Sequence, residues 1–538
     1  MGRTPLFRLL QRSARIARAS LYARQPLDEF CAQGRELRFD ASRRRLLQGA
    51  GAGLLLAGCA TLPRPLQADG DAVAIVGAGI AGLTAAWRLR QAGVPARVYE
   101  AQSRVGGRMF SLRDHFPDGQ VVELGGELID SNHVRLRALA AELGIAIDDL
   151  LEGDHDADTW YFDGRAIDED EIVAAFVPVA RAIERDLATL GDGDILYTAP
   201  QGAQALDALS IAQWLDRNAV DGWLRKLVEV AYTTEMGLEP ERQSALNLLT
   251  FIGTGDTGFK VFGESDERSH VRGGNDLIPR ALGQQMADAV ETGQVLEAIR
   301  AEGDGYVLSL RNGAATRDVR ARQVILALPF TLLRQVRIDL PLPATKRRAI
   351  DTLAYGSNAK LMIGYDRRVW RTHHANGAAM SDLSFQTSWE TTRKQPGTGG
   401  VLVNFTGGRH GVELGQGTAR QQAEAATAAL DQVFPGLAAA RAGSSEVRMH
   451  WPSHPWTLGS YACFGPGDWT GLRGVMGESV GGLHFAGEHC ALDTQGFMEG
   501  GCESGEIAAS AVAARLGLAR VLRRPSRLRR NTNVYAAV

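Results

Sequence analysis

At 538 residues, with 45% hydrophobic and 22% charged side chains, the chain is long enough for about three domains and too apolar to be disordered as a whole. Its 62 glycines, about 12% against a usual ~7%, follow no collagen period, and its five scattered cysteines fit neither a disulfide framework nor a zinc module. The net charge of −3 divides into +7 over residues 1–48, +6 over residues 520–538 and −16 between them, and so acidic a body argues against nucleic acid as the main partner.

The N-terminus reads as an address. Ser42-Arg43-Arg44-Arg45-Leu46-Leu47-Gln48 precede an apolar run from Ala50 to Ala60, the layout of an export signal. The run is too short for a membrane span of ~20 residues. The arginine pair before Leu46-Leu47 resembles the twin-arginine signal, and Leu56-Ala57-Gly58-Cys59 resembles a bacterial lipobox, whose cysteine carries the lipid. Both imply export, to the periplasm or to a membrane through Cys59. The alternative is a disordered basic arm on a cytoplasmic protein. Pro63 and Pro65 form a linker, so residues 1–70 stand outside the fold.

The folded part opens on a nucleotide site. Val73-Ala74-Ile75-Val76 is a buried-strand run, followed at once by Gly77-Ala78-Gly79-Ile80-Ala81-Gly82 and a helix stopped near Gly93. A second strand, Ala96 to Tyr99, ends at Glu100. Gly77 suits the tight turn, Gly79 lets backbone approach a pyrophosphate, and Gly82 lets helix and strand pack closely. The helix N-terminus offers N–H groups to phosphate. Glu100 is placed to accept from ribose hydroxyls.

Glu100-Ala101-Gln102-Ser103-Arg104-Val105-Gly106-Gly107-Arg108 extends this motif, and its two arginines suit a diphosphate through forked, charge-assisted bonds. Here the chain resembles the flavin-containing amine oxidases. The resemblance runs over roughly 71–516. Val122-Glu123-Leu124-Gly125-Gly126-Glu127 resembles the family's Gly-Gly turn beside the isoalloxazine. Arg272-Gly273-Gly274-Asn275-Asp276-Leu277 resembles its second FAD section, and Val295 matches a contact on the adenine side. Gly487-Glu488, then Gly496-Phe497-Met498-Glu499-Gly500 and Gly505, resemble its C-terminal flavin motif.

The resemblance implies an α/β fold. A discontinuous Rossmann-like FAD-binding domain of glutathione-reductase type would be built from 71–149, 269–344 and 456–518. An α+β substrate domain would be built from 150–268 and 345–455, and 519–538 would be a basic tail. It implies cofactor contacts at Gly77, Gly79, Ile80, Ala81, Gly82, Glu100, Ala101, Arg104, Gly107, Arg108, Gly125, Gly126, Glu127, Val295, Gly487, Glu488, Phe497 and Met498. Ser460 matches the position where monoamine oxidases carry the cysteine bonded to flavin, so FAD is expected to bind non-covalently.

Three further groups follow from the resemblance. Lys360, in Tyr355-Gly356-Ser357-Asn358-Ala359-Lys360-Leu361, matches the lysine that holds a water at the flavin, where a cation favours reduced oxygen. Tyr461 and Phe497 match the aromatic cage, whose ring faces attract an ammonium. Leu249, Phe251 and Ile252 match the helix lining the substrate cavity, although core packing explains them equally well. The implied partners are an amine or amino acid, molecular oxygen and a possible second copy in a homodimer.

The family's frequent arginine after the Gly-Gly turn is missing from Glu127-Leu128-Ile129-Asp130. That favours an amine, or an amino acid held differently, with Glu127 and Asp130 available to a second amino group. No metal-ligand pattern is expected from His373, His374 or His410. The leading expectation is an FAD-dependent oxidase of a primary amine or L-α-amino acid that forms hydrogen peroxide. The alternatives are a flavin dehydrogenase, a 2-monooxygenase or a non-catalytic FAD-binding module.

Overall fold

The computed structural model of the chain describes residues 73–152, 154, 156–251 and 265–518. The address segment with Cys59, the basic tail and Ile252 lie outside the described residues.

Val73–Val76 is apolar and buried at every position, as a strand covered on both faces must be. It lies at the centre of a five-stranded sheet ordered Leu483–Phe485, Gln323–Leu326, Val73–Val76, Ala96–Tyr99, Val290–Glu291. Every pairing in that sheet is parallel. The strands come from three stretches far apart in sequence, and the first crossover is the helix Ile80–Gln91. The terminal helix Met498–Arg515 lies against that helix. A Cβ on Gly501 would stand 2.6 Å from Ile80 Cγ2, and one on Gly505 would stand 2.4 Å from the Ala81 carbonyl oxygen. Glycine is what permits this approach.

A second sheet of four strands runs Ala315–Ala321, Gly305–Asn312, Val295–Glu302, Arg337–Asp339. The largest sheet has seven strands, ordered Arg441–His450, Ala359–Tyr365, Gly400–Thr406, Thr387–Glu390, Ala375–Ser381, Ala157–Phe162, Arg165–Ala166. Ala375–Ser381 pairs with Ala157–Phe162 in parallel, and this pairing joins residues before 170 to residues after 350. Helix Gly222–Met236 packs on strands Ala157–Phe162, Ala375–Ser381 and Gly400–Thr406 of this sheet and against helix Glu169–Leu187.

Ala359–Tyr365 is buried along its whole length, so both of its faces must find partners. Leu361 and Ile363 share a cluster with Ala423, Ala426 and Leu430 of the helix Ala419–Val433. Met362 points to the opposite face, because side chains alternate along a strand, and it packs with Val122, Leu124 and Trp451. Lys360 shares the face of Met362 by the same alternation. The strand thereby aims its lysine at the segment that follows Val122.

Candidate cofactor site and the buried groups behind it

A cavity of about 1220 Å³, counted to its open mouth, runs along the C-terminal edge of the parallel sheet. Ligand crevices form there in open parallel sheets. Gly77, Gly79, Ile80, Ala81, Glu100, Ala101, Gly107, Arg108, Gly126, Val295, Gly487, Glu488, Phe497 and Met498 line it.

The Gly-rich turn is shaped by contact distances. Gly77 has φ +102, and a Cβ there would lie 2.6 Å from the Ala327 carbonyl oxygen. Gly82 does not line the cavity; a Cβ on it would stand 2.0 Å from the Gly77 carbonyl oxygen, so its smallness lets the helix pack on the turn. A Cβ on Gly79 would meet nothing within 4 Å, so that backbone faces open space. No side chain caps the helix that begins at Ile80, and none caps the helix that begins at Met498. Each leaves first-turn N–H groups for a ligand. Glu100 is buried. Its carboxylate accepts from Ala78 N at 2.7 Å and Gln102 N at 2.9 Å, which leaves lone pairs for hydroxyl donors. Burial pushes its carboxyl upward, against the pull of those N–H groups. An elongated cavity with an acid at one end and two helix N-termini along it fits a flavin dinucleotide.

At the other end Glu488 ties three segments together. Its Oε1 accepts from Arg108 Nη1 at 2.9 Å and Ala462 N at 3.2 Å, and its Oε2 accepts from Gly496 N at 3.0 Å. Arg108 also donates to the Ser460 carbonyl at 2.6 Å. The Ser460 hydroxyl donates to Asn358 Oδ1 at 2.6 Å. Phe497 packs edge-on against His133, with ring centres 5.0 Å apart.

Several residues expected here lie elsewhere. Arg104 turns onto its own loop, donating to the carbonyls of Val105 (3.3 Å) and Gly107 (2.9 Å) and covering Phe110 at 4.0 Å. Gly125 sits behind the wall, where a Cβ would lie 1.8 Å from the Arg108 carbonyl oxygen. Lys360 faces neither solvent nor the cavity. It is 2% exposed, and its ammonium donates to Glu127 Oε2 at 2.7 Å, Gly125 O at 2.9 Å and Glu123 O at 3.1 Å. Glu127 also points away from the cavity and accepts from Trp389 Nε1 at 2.9 Å.

Glu127 is therefore not free for a second amino group, and neither is Asp130, whose Oδ1 accepts from Ser265 Oγ at 2.9 Å and Glu267 N at 2.8 Å. Tyr461 brings its ring to Gly496, next to Phe497, but its hydroxyl donates to the Glu235 carbonyl at 2.6 Å. Leu249 and Phe251 belong to the helical core, where Phe251 meets Tyr232 edge-on at 6.5 Å; neither lines the cavity.

Sequence reasoning missed a clamp. Five successive carbonyls, from Glu123 to Glu127, each accept from a buried side chain. Lys360 serves those of Glu123 and Gly125. Trp451 Nε1 serves Leu124 at 3.1 Å. Asn275 Nδ2 serves Gly126 at 3.0 Å and Glu127 at 2.6 Å. Trp456 lines the cavity as well. The only signal of the clamp was an asparagine inside Arg272-Gly273-Gly274-Asn275.

The chain matches, over residues 80–513, the family model described as flavin containing amine oxidoreductase. A Synechocystis protein named L-amino acid dehydrogenase is 28% identical to it, over 81% of this chain and 94% of that one. Flavin-containing amine oxidase A of Sus scrofa is 24% identical, over 83% of this chain and 85% of that one. Among solved structures, cyclohexylamine oxidase from Brevibacterium oxydans IH-35A shares the fold with a TM-score of 0.73 at 24% identity, over 84% of this chain and 100% of that one.

Proposed function

The chain belongs to the flavin-containing amine oxidoreductases, enzymes whose cofactor is FAD, and we propose that it oxidises a primary amine or an L-α-amino acid. The observation that carries this reading is the cavity itself, with Glu100 at one end, Phe497 and Glu488 at the other and two uncapped helix N-termini between. The bound flavin supplies two-electron oxidation of the carbon that bears the nitrogen.

The residues of this chain bind and orient. The turn at Gly79 and the helix N-terminus at Ile80 would take the pyrophosphate, and Glu100 the ribose hydroxyls. Phe497 presents an apolar ring at the cavity wall, and Tyr461 stands beside it. Neither is positioned as a base, since phenylalanine has no proton to move and the Tyr461 hydroxyl is bonded to Glu235. Their proposed part is to orient the unprotonated nitrogen. The imine product is hydrolysed by water to an aldehyde or keto acid with release of ammonia.

Ser460 offers no thiol and its hydroxyl is held by Asn358, so FAD is held without a covalent bond, and acid precipitation should leave all of it in solution. Because Glu127 and Asp130 are committed to internal bonds, they do not select a diamine. Two named relatives differ on the electron acceptor, one being a dehydrogenase and the other an oxidase. Oxygen, with hydrogen peroxide as product, is thus one acceptor among others.

The test is anaerobic mixing of the yellow holoenzyme with a panel of primary amines and L-amino acids. Loss of visible flavin absorbance together with ammonia release supports the reading. A panel that bleaches nothing removes it. We also propose export by the twin-arginine route from Arg43-Arg44, which unchanged export of a variant with both arginines replaced by lysine would refute.

A further inference from the structure

We propose that Glu127 cancels the positive charge of Lys360 behind the Gly125–Gly126 turn, and that the enzyme consequently passes its electrons to an organic acceptor of the quinone class in preference to oxygen. This inference rests on the oxidoreductase reading above and concerns its second half-reaction.

The ammonium of Lys360 has three N–H bonds, and three acceptors stand around it: Glu127 Oε2 at 2.7 Å, Gly125 O at 2.9 Å and Glu123 O at 3.1 Å. No donor is left for a water or for oxygen. The pair is dry, with both residues 2% exposed. Burial opposes ionisation of Glu127, yet the adjacent ammonium and the Trp389 indole hold its carboxyl below the usual carboxylate range. The carboxylate charge is therefore present.

Gly126 lines the cavity, and the carbonyl one residue earlier is held by Lys360. The lysine thus sits directly behind the wall, with its counter-charge already in contact. The other cation at this end, Arg108, is matched in the same way by Glu488 at 2.9 Å. Two opposite charges at such distances act on anything several ångströms away as a dipole, whose field falls off faster than that of a lone charge. Each of these two cations, Lys360 and Arg108, thus carries a carboxylate in contact with it.

That matters because of how oxygen is reduced. Its first electron makes an anion before any proton arrives, and a fixed, uncompensated cation lowers the cost of that charge. A quinone takes its first electron more readily and collects protons with the electron pair, so it needs no such cation. The balance is complete. The amine loses two electrons and two protons to become an imine. The quinone gains two electrons and two protons to become a quinol. Water then converts the imine to a carbonyl compound and ammonia.

The experiment uses the holoenzyme reduced by light in the absence of oxygen, so that it needs no amine and stays independent of the substrate reading. Reduced enzyme is mixed with air-saturated buffer or with a water-soluble short-chain quinone at equal concentration. Reoxidation by the quinone is expected to be at least ~100-fold faster, the scale on which one electrostatic group at a reacting centre acts. Glu127→Gln should speed the air reaction at least ~10-fold by exposing the lysine charge. It should also tighten binding of sulfite, an anion that bleaches oxidised flavin, in a titration that involves no turnover. The double variant Glu127→Gln with Lys360→Met should leave the air reaction within about threefold of wild type, because it removes a charge together with its counter-charge. Air oxidation of wild type as fast as quinone oxidation overturns the proposal and needs no variant to fold. Unchanged sulfite affinity in Glu127→Gln, or a tenfold slower air reaction in the double variant, overturns it as well.

Discussion

Arg108 and Glu488, 380 residues apart in sequence, meet at the cavity wall through an Nη1–Oε1 bond of 2.9 Å. The same carboxylate receives the N–H groups of Ala462 and Gly496, so three separate segments converge on one side chain. Glu488→Ala strands a guanidinium and two backbone donors. We expect it to lower stability by about 3 kcal/mol, as breaking a buried ion pair does, and to weaken FAD binding at least ~10-fold. Glu488→Gln keeps an acceptor oxygen and should lose less. Fluorescence titration of apoprotein with FAD decides this, and an Ala variant that binds like wild type would remove Glu488 from the site.

Tyr461 separates ring from hydroxyl. Its O–H donates to Glu235 near the C-terminal end of the helix Gly222–Met236, where carbonyls have no partner within the helix. Tyr461→Phe should lower stability by about 1–3 kcal/mol, the cost of a buried acceptor left unpaired, while kcat stays near wild type. Tyr461→Ala also removes the ring next to Gly496 and should lower kcat by ~100-fold through misplaced substrate. Equal kcat losses in the two variants would show the hydroxyl to be the working group.

The glycine turn and Glu100 were legible in the sequence because their geometry is local, set by one strand-helix-strand unit. Side chains that reach across the molecule were not. Spacing says nothing of where Arg104 turns, and it turns to the carbonyls of its own loop. Strand alternation puts Lys360 on the face of Met362, but the acid opposite it comes from 233 residues earlier, and no periodicity predicts that meeting. Leu249 and Phe251 show a different gap. Apolar residues on a short helix read alike whether they face a cavity or a core, and packing sends them to the core.

Asn275 provides a test of the clamp on residues 123–127. Its amide nitrogen serves two carbonyls, and its Oδ1 accepts from Val271 N at 2.9 Å. Asn275→Ala leaves those groups unpaired and should cost about 1–3 kcal/mol. Asn275→Asp should cost more, because it turns a carboxylate oxygen towards two carbonyl oxygens. Thermal unfolding of both variants checks the order, and the reverse order would mean that Asn275 serves mainly as an acceptor.

His484 gives the fold a pH dependence of known sign. The ring is 1% exposed, with Nδ1 at 2.8 Å from Ser479 Oγ and Nε2 at 2.9 Å from Gln323 Oε1. An amide oxygen only accepts, so the network assigns the proton of the neutral ring to Nε2. Burial, with Arg515 adding to it, pushes the ring down to about 4 from an ordinary 6.5. Between those values the unfolded chain binds the proton and the folded chain does not, so stability is complete above the unfolded value and is lost as pH falls from 6.5 towards 4. At about pH 5 the contribution lost is on the order of 2 kcal/mol, at roughly 1.4 kcal/mol per pH unit. His484→Gln keeps hydrogen-bonding capacity but does not titrate. Its thermal midpoint should therefore fall less than that of wild type between about pH 7.5 and pH 5, with FAD saturating in both. Other groups titrate equally in the two proteins, so the difference between the curves isolates this ring. Parallel curves would mean that His484 takes up its proton as easily folded as unfolded.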